Sequence, residues 1–386
     1  MGQNEPCIEN AVSKRNYGID LLRLISMLMV VTLHVFGKGG VLNSVNLLTI
    51  KGEFFWCIYT FCYCAVNVFA IISGYVGYTA KHKYTSLISL SLQLIFYSII
   101  ITIIDLVLTV SKGTPISPIA VVFNLLPTLK NYWYFSAYFC LFFFMPILNA
   151  IVANVSRKKL KITATFIFIV FCCWTQLYSN VSHLGVGYSV LWLAILYVVG
   201  AYFAKYKPLE KWSARKCIIA YLSLILFTIV VKIVIEFIST AIWGYPRFFT
   251  VLISYTSPTI TLASIFLVCA FSKFNFKEGV NRIISKLAPL AFGVYIIHCH
   301  PIIYTAIGDS FAWVADMPIL LGAFLALGIS LGITAVCLFI DWLRLLLFRV
   351  CKIQKISSFV EKVFKNVSTF VFKKINISFE DEVGIE

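Results

Sequence analysis

Apolar runs of about 17–25 residues recur along nearly the whole chain, each long enough to span the hydrocarbon of a bilayer as a helix. Ten are read, at about 20–37, 54–78, 87–110, 132–153, 161–178, 188–205, 216–240, 250–271, 287–307 and 318–348. Lipid offers backbone polar groups no water, so such segments close their hydrogen bonds internally as helices. The expected fold class is therefore all-α: a polytopic membrane protein of about ten transmembrane helices. Composition agrees. The 386 residues are 60% hydrophobic and 12% charged, against about 25% charged in soluble domains.

The net charge of +16 does not point to nucleic acid, because the basic residues fall in short loops between the spans. With the N-terminus inside, the inner loops collect Lys81, Lys83, Arg157, Lys158, Lys159, Lys161, Lys205, Lys207, Lys211, Arg215, Lys216, Lys273, Lys277, Arg282 and Lys286. The outer loops collect only Lys38, Lys51, Lys112, Lys130 and Arg247. The asymmetry places both termini in the cytoplasm and favours an even number of spans. A membrane domain over 1–348 and a basic, amphipathic cytoplasmic tail over 349–386 are expected, the tail lying on anionic lipid or only partly ordered.

Twelve cysteines, most inside apolar runs, form no CxxC pair. Buried thiols of this kind act as small hydrophobes, so neither a disulfide framework nor a metal is expected.

Polar residues within the spans carry the functional argument, since ionisable groups are expensive in hydrocarbon. The first span, with its flanks RNYGIDLLRLISMLMVVTLHVFGKGG at 15–40, holds Asp20, Arg23 and His34. Asp20 and Arg23 are one turn apart and can pair at the cytoplasmic end. The alternative is a snorkelling ion pair with no further role. His34 lies about 16 Å further along the helix, before Gly37, Gly39 and Gly40, where a turn opens onto a cavity. Its imidazole suits general-base work, and helix–helix hydrogen bonding is the plainer reading. In the second span Asn67 and Ser73 are candidate oxyanion donors, and Gly74 and Gly77 allow close helix packing, which alone would also account for the small residues. Lys81, His82 and Lys83 follow, where topology and an anionic ligand both favour positive charge. Trp133 and Tyr134 open the fourth span as an interfacial belt or a platform for a sugar ring. His298 and His300 are two residues apart and so do not share a helix face, which argues against a metal on that helix. His298 is expected to complete a cavity with His34. Lys232 with Glu236, and Asp341 with Arg344, are expected structural pairs. Gly308-Asp309-Ser310 resembles a hydrolase nucleophile block but lacks its downstream partner.

Four segments in order, IDLLRLISMLMVVTLHVFGKGG at 19–40, NVFAIISGYVGY at 67–78, NYWYFSAYFCLFFFMPILN at 131–149 and FGVYIIHCHP at 292–301, resemble the acyltransferase-3 family of integral membrane acyltransferases. The similarity is greatest to the surface-polysaccharide O-acetyltransferases of Gram-positive bacteria. The resemblance implies a cytoplasmic acyl-CoA donor, with acetyl-CoA the commonest, and a glycan or lipid-linked sugar acceptor on the outer side of a bacterial cell membrane. It makes His34 the catalytic histidine and Arg23 its motif partner. Many relatives carry an Arg-x-x-Arg pair after the second span, where this chain has Lys81 and Lys83. Polysaccharide-assembly proteins are possible partners. The rival reading is a glycan or small-solute transporter or flippase.

Overall fold

A computed structural model describes residues 15–129, 131–174 and 184–374. The end of the expected cytoplasmic tail, from 375 onward, the end of the fifth predicted span and the loop residue Lys130 lie outside the described residues. Among the described residues the chain is helical and without strands. In chain order the helices are α1 (Tyr17–Phe36), α2 (Ile50–Cys62), α3 (Ala65–Gly77), α4 (Tyr84–Ser111), α5 (Pro118–Leu125), α6 (Trp133–Asn154), α7 (Arg157–Phe168), α8 (Val190–Tyr206), α9 (Ala214–Trp243), α10 (Pro258–Phe271), α11 (Glu278–Leu287), α12 (Ala291–His298), α13 (Pro301–Ile307), α14 (Ile319–Val350) and α15 (Ile353–Lys374). Seven helical segments among the described residues are long and apolar enough to cross a membrane, and α8 and α10 are shorter apolar helices.

Four predicted spans differ in form. The second starts earlier and is broken at Tyr63 and Cys64 into α2 and α3. There the Cys64 carbonyl accepts a hydrogen bond from Ser264 Oγ at 3.3 Å. The eighth is helical only from Pro258, whose ring suits a first helical position but leaves no N–H to extend a helix backwards. The ninth is divided into α11, a 3₁₀ turn, α12 and α13, with Pro301 opening the last piece. The fifth begins at Arg157 and continues in π geometry from Ile169 to Trp174.

α1 is central. It packs on α2, α3, α10, α11, α12 and α14, and most of it is buried, whereas α4, α9 and α14 present large exposed apolar side chains such as Ile103, Phe227 and Phe324. That distribution fits a bundle whose rim faces lipid. Asn16 fixes the start of α1: its Oδ1 accepts from Ile19 N at 3.1 Å, and its Nδ2 donates to Ser272 O at 2.8 Å beyond α10. Gly40, at φ +88°, turns the chain after α1, where Asp309 N donates to Lys38 O and Phe311 N to Gly39 O. The Gly308-Asp309-Ser310 block is thereby accounted for as a turn pinned to this corner.

Two close approaches lock the bundle. A Cβ on Gly74 would meet the Tyr197 carbonyl oxygen, and one on Gly200 that of Ile71, so α3 and α8 touch backbone to backbone, as small residues permit. Asp341 accepts from Gln93 Nε2 (2.7 Å), Tyr97 Oη (2.9 Å) and both nitrogens of its Arg344 fork (3.0 and 2.7 Å). Gly293 leaves room for it, since a Cβ there would overlap the carboxyl. The expected Lys232–Glu236 pair is present at 2.8 Å, and Glu53 of α2 adds two further contacts to the same Nζ at 2.8 Å. α15 follows the membrane domain after a break at Cys351–Lys352 and packs on α4, with Ser357 and Ser89 hydroxyls 3.2 Å apart.

Candidate active site

Arg23 and His34 are eleven residues apart in α1, three turns plus about 20°, so they project from one face. Met27 and Val30 lie between them on that face, and all four line one cavity of about 650 Å³. Further walls come from α2, α3 and the break between them (Tyr59, Tyr63, Val66, Phe69, Ser73), α6 (Trp133, Tyr134, Tyr138), the segments carrying Tyr188 and Tyr255, and α12–α13 with their junction (Phe292, Tyr295, Cys299, Tyr304). A second, smaller cavity of about 180 Å³ is lined by Lys81, His82 and Lys83. It shares Arg23, Ser73 and Tyr138 with the first. The two cavities thus adjoin at these residues, with the basic loop on one and His34 on the other.

At the Arg23 end the carboxylate of Asp20 is buried and held from two sides, by Arg15 Nε at 2.5 Å and Arg23 Nη1 at 2.7 Å. Asp20 thus orients Arg23 and is not among the lining residues. Lys81 and Lys83 are exposed. His82 lies against Phe142, the rings tilted with centroids 4.0 Å apart, and its burial lowers its pKa below the ordinary 6.5. At neutral pH the entry's positive charge therefore comes from Lys81, Lys83 and Arg23.

At the other end, His34 Nδ1 faces His298 Nε2 at 3.0 Å, and His298 Nδ1 lies 2.5 Å from the Val294 carbonyl. A carbonyl only accepts, so His298 carries its proton on Nδ1. With both rings neutral, His298 Nε2 then accepts and His34 Nδ1 donates. This tautomer leaves the lone pair of His34 on Nε2. Tyr304 meets the His34 ring edge-on at 5.1 Å. Trp133 stands 4.4 Å from Tyr188 and 6.2 Å from Tyr255, ring to ring, and Tyr63 is 4.9 Å from Tyr255. Trp133 therefore belongs to an aromatic wall assembled from four parts of the chain.

The structure brings together Arg23, His34, Ser73, Trp133 and Tyr134 on one cavity, with Lys81 and Lys83 at the adjoining one. His298 is fully buried behind His34. Asn67 is not brought to the cavity: its Nδ2 donates to Tyr255 O at 2.7 Å and its Oδ1 accepts from Trp192 Nε1 at 3.1 Å. Its amide is spent holding the segment that carries Tyr255, which corrects its place among the oxyanion donors. Ser73 Oγ donates to Phe69 O at 2.8 Å, so its proton is likewise engaged. His300 turns away from His298, with Nε2 donating to Asn124 O at 3.1 Å. Tyr59, Tyr63, Tyr188, Tyr255, Tyr295, Cys299 and Tyr304 were not singled out from sequence. Tyr295 is buried at the cavity wall, where its hydroxyl proton reaches no acceptor and the backbone of Tyr134 and Phe135 lies beside its oxygen.

The sequence pattern of the acyltransferase-3 family, described as an acyltransferase domain, matches residues 16–342. The chain belongs to the acyltransferase-3 family. It is an acyltransferase acting on groups other than aminoacyl groups, built as a multi-pass membrane protein, and the matched region contains every cavity residue described above. Neither a curated protein nor a solved structure matches it.

Proposed function

We propose that this acyltransferase moves an acyl group, most simply acetyl, from acyl-CoA on the cytoplasmic side to a hydroxyl of a cell-surface or lipid-linked glycan, in a bacterial cell membrane with both termini inside. The observation that carries this reading is the shared wall of the two cavities: the basic entry and the His34 chamber meet at Arg23, Ser73 and Tyr138. CoA is a large polyanion. Lys81, Lys83 and Arg23 suit its phosphates, and the slender pantetheine arm suits a narrow path toward His34.

In the proposed reaction His34 Nε2 takes the proton of the acceptor hydroxyl as its oxygen attacks the thioester carbonyl. The tetrahedral intermediate collapses with cleavage of the C–S bond, and the departing CoA thiolate takes the proton from His34. His298 acts as a positioning residue, holding the His34 tautomer through Nδ1. The Tyr295 hydroxyl is the donor best suited to the oxyanion, since its proton reaches no acceptor in the ground state and redirecting it breaks no bond. The Trp133, Tyr188 and Tyr255 wall offers ring faces to a sugar. Polysaccharide-assembly proteins would supply or receive the glycan, and membrane lipid surrounds the rim.

The test is acyl transfer by the purified chain in liposomes carrying labelled acetyl-CoA inside and a glycan acceptor outside. Label on the acceptor, lost in His34→Ala with the protein still folded, is the expected result. Undiminished transfer by that variant refutes the role of His34, and label trapped on the protein itself would replace direct attack with a relay.

A further inference from the structure

Three nitrogen and sulfur atoms converge where α1 meets the break after α12. His34 Nδ1 and His298 Nε2 are 3.0 Å apart, and Cys299 Sγ lies 3.4 Å from His298 Nε2 and 3.8 Å from His34 Nδ1. A tetrahedral zinc centre with Zn–N of about 2.0–2.1 Å and Zn–S of about 2.3 Å separates its nitrogens by about 3.3 Å and nitrogen from sulfur by about 3.6 Å. The observed separations straddle those values, so a cation could enter with shifts of a few tenths of an ångström.

The surroundings fit as well. Consecutive residues of a continuous helix point about 100° apart, but α12 ends at His298 and Pro301 starts a new helix, which lets His298 and Cys299 converge. The His298 Nδ1–H bond to Val294 O is the outer contact that fixes a ligating imidazole. Two imidazoles and a thiolate, with no carboxylate in the group, select zinc-like ions over magnesium or calcium. His34 and Cys299 both line the large cavity, which leaves a fourth coordination position open toward it.

We propose that His34, His298 and Cys299 form a site for a borderline-soft divalent cation, Zn²⁺ as the type, and that its occupation switches off acyl transfer. On binding, Cys299 releases its thiol proton to solvent and the sulfur takes the metal. The metal takes the lone pair of His34 Nδ1, so the His34 proton moves to Nε2. Nε2 then donates and cannot accept the proton of a hydroxyl. The inhibitory half rests on the reading of His34 as the base, whereas the site itself does not.

The test is titration of the full chain in detergent with Co²⁺, followed by Zn²⁺. One Co²⁺ per chain is expected, with the visible absorption of a tetrahedral ion and a thiolate-to-cobalt charge-transfer band, both displaced by Zn²⁺. Cys299→Ser and Cys299→Ala should lose the charge-transfer band and bind about ten- to a hundredfold more weakly, while Cys337→Ala, at another buried thiol, should keep it. Zinc should remove most of the wild-type transfer rate and a chelator should restore it. The Cys299 variants, each measured against its own chelated rate, should resist zinc. No charge-transfer band in the wild type, or its persistence in both Cys299 variants, overturns the site. Full transfer with zinc bound overturns the switch. A chain that binds cobalt as described but transfers no acyl group in either state refutes the switch and the acyl-transfer reading together, and leaves the site standing.

Discussion

His298 accepts from His34: the two imidazoles meet at 3.0 Å, Nε2 to Nδ1, and the Val294 carbonyl fixes the direction of the proton between them. His34→Ala should lower transfer by about 10²–10⁴-fold, the usual range for a general base. His298→Ala should lower kcat with little change in the KM of either substrate, because it removes an orienting contact and no binding surface. Steady-state kinetics separates the two, and a KM effect alone in His298→Ala would make that residue part of the binding wall.

Tyr295→Phe removes a hydroxyl whose proton reaches no acceptor in the ground state, so the fold should be little affected. The expected loss is in kcat, about 10²-fold or more for an oxyanion donor. A variant with wild-type kcat and an unchanged thermal unfolding curve would remove Tyr295 from the reaction.

Replacing both Lys81 and Lys83 by Ala should raise the KM for acyl-CoA and flatten its dependence on salt, since exposed charges act through screened fields. His82→Gln should leave donor use near pH 7 unchanged, because burial holds that imidazole below its ordinary pKa and therefore uncharged there. As pH falls below the ordinary histidine range, the wild type gains a further positive charge at the entry and the variant does not. Donor KM measured against pH in both proteins checks the sign.

Lys232 lies between Glu53 and Glu236 in α9, with Trp56 and Phe249 rings about its ammonium. Lys232→Met leaves two acidic groups with no cation and should destabilise the fold by about 3–5 kcal/mol. Adding Glu53→Gln and Glu236→Gln should recover part of that loss. Thermal unfolding in detergent reads both outcomes.

The helical membrane fold was legible from apolar run length and charge placement, and the Arg23–His34 face from the first span alone. The breaks within the second and ninth spans were not, because hydropathy does not register a turn between two apolar helices. Pro301 marks one of them. Asn67 looked available because a lone amide in an apolar run signals a demand for hydrogen bonds and not which partner meets it; Tyr255 and Trp192 are remote in sequence. The aromatic wall escaped for the same reason. Its members are Trp133, Tyr188, Tyr255 and Tyr63, contributed singly by distant segments, and in a chain of 20 tyrosines no spacing picks them out. Glu53, in the first turn of α2, gave no sign that it would join the pair on α9.

The meeting of the two cavities at Arg23, Ser73 and Tyr138 has a consequence for the membrane itself. A catalyst fed from opposite faces risks becoming a leak that dissipates the ion gradients on which the cell depends. A fixed guanidinium on the wall shared by both cavities opposes the passage of protons and metal cations, while a thin uncharged thioester arm feels no such barrier. In the proposed reaction the residue that welcomes the donor would then also keep the bilayer sealed, and Arg23→Ala proteoliposomes would lose both properties at once.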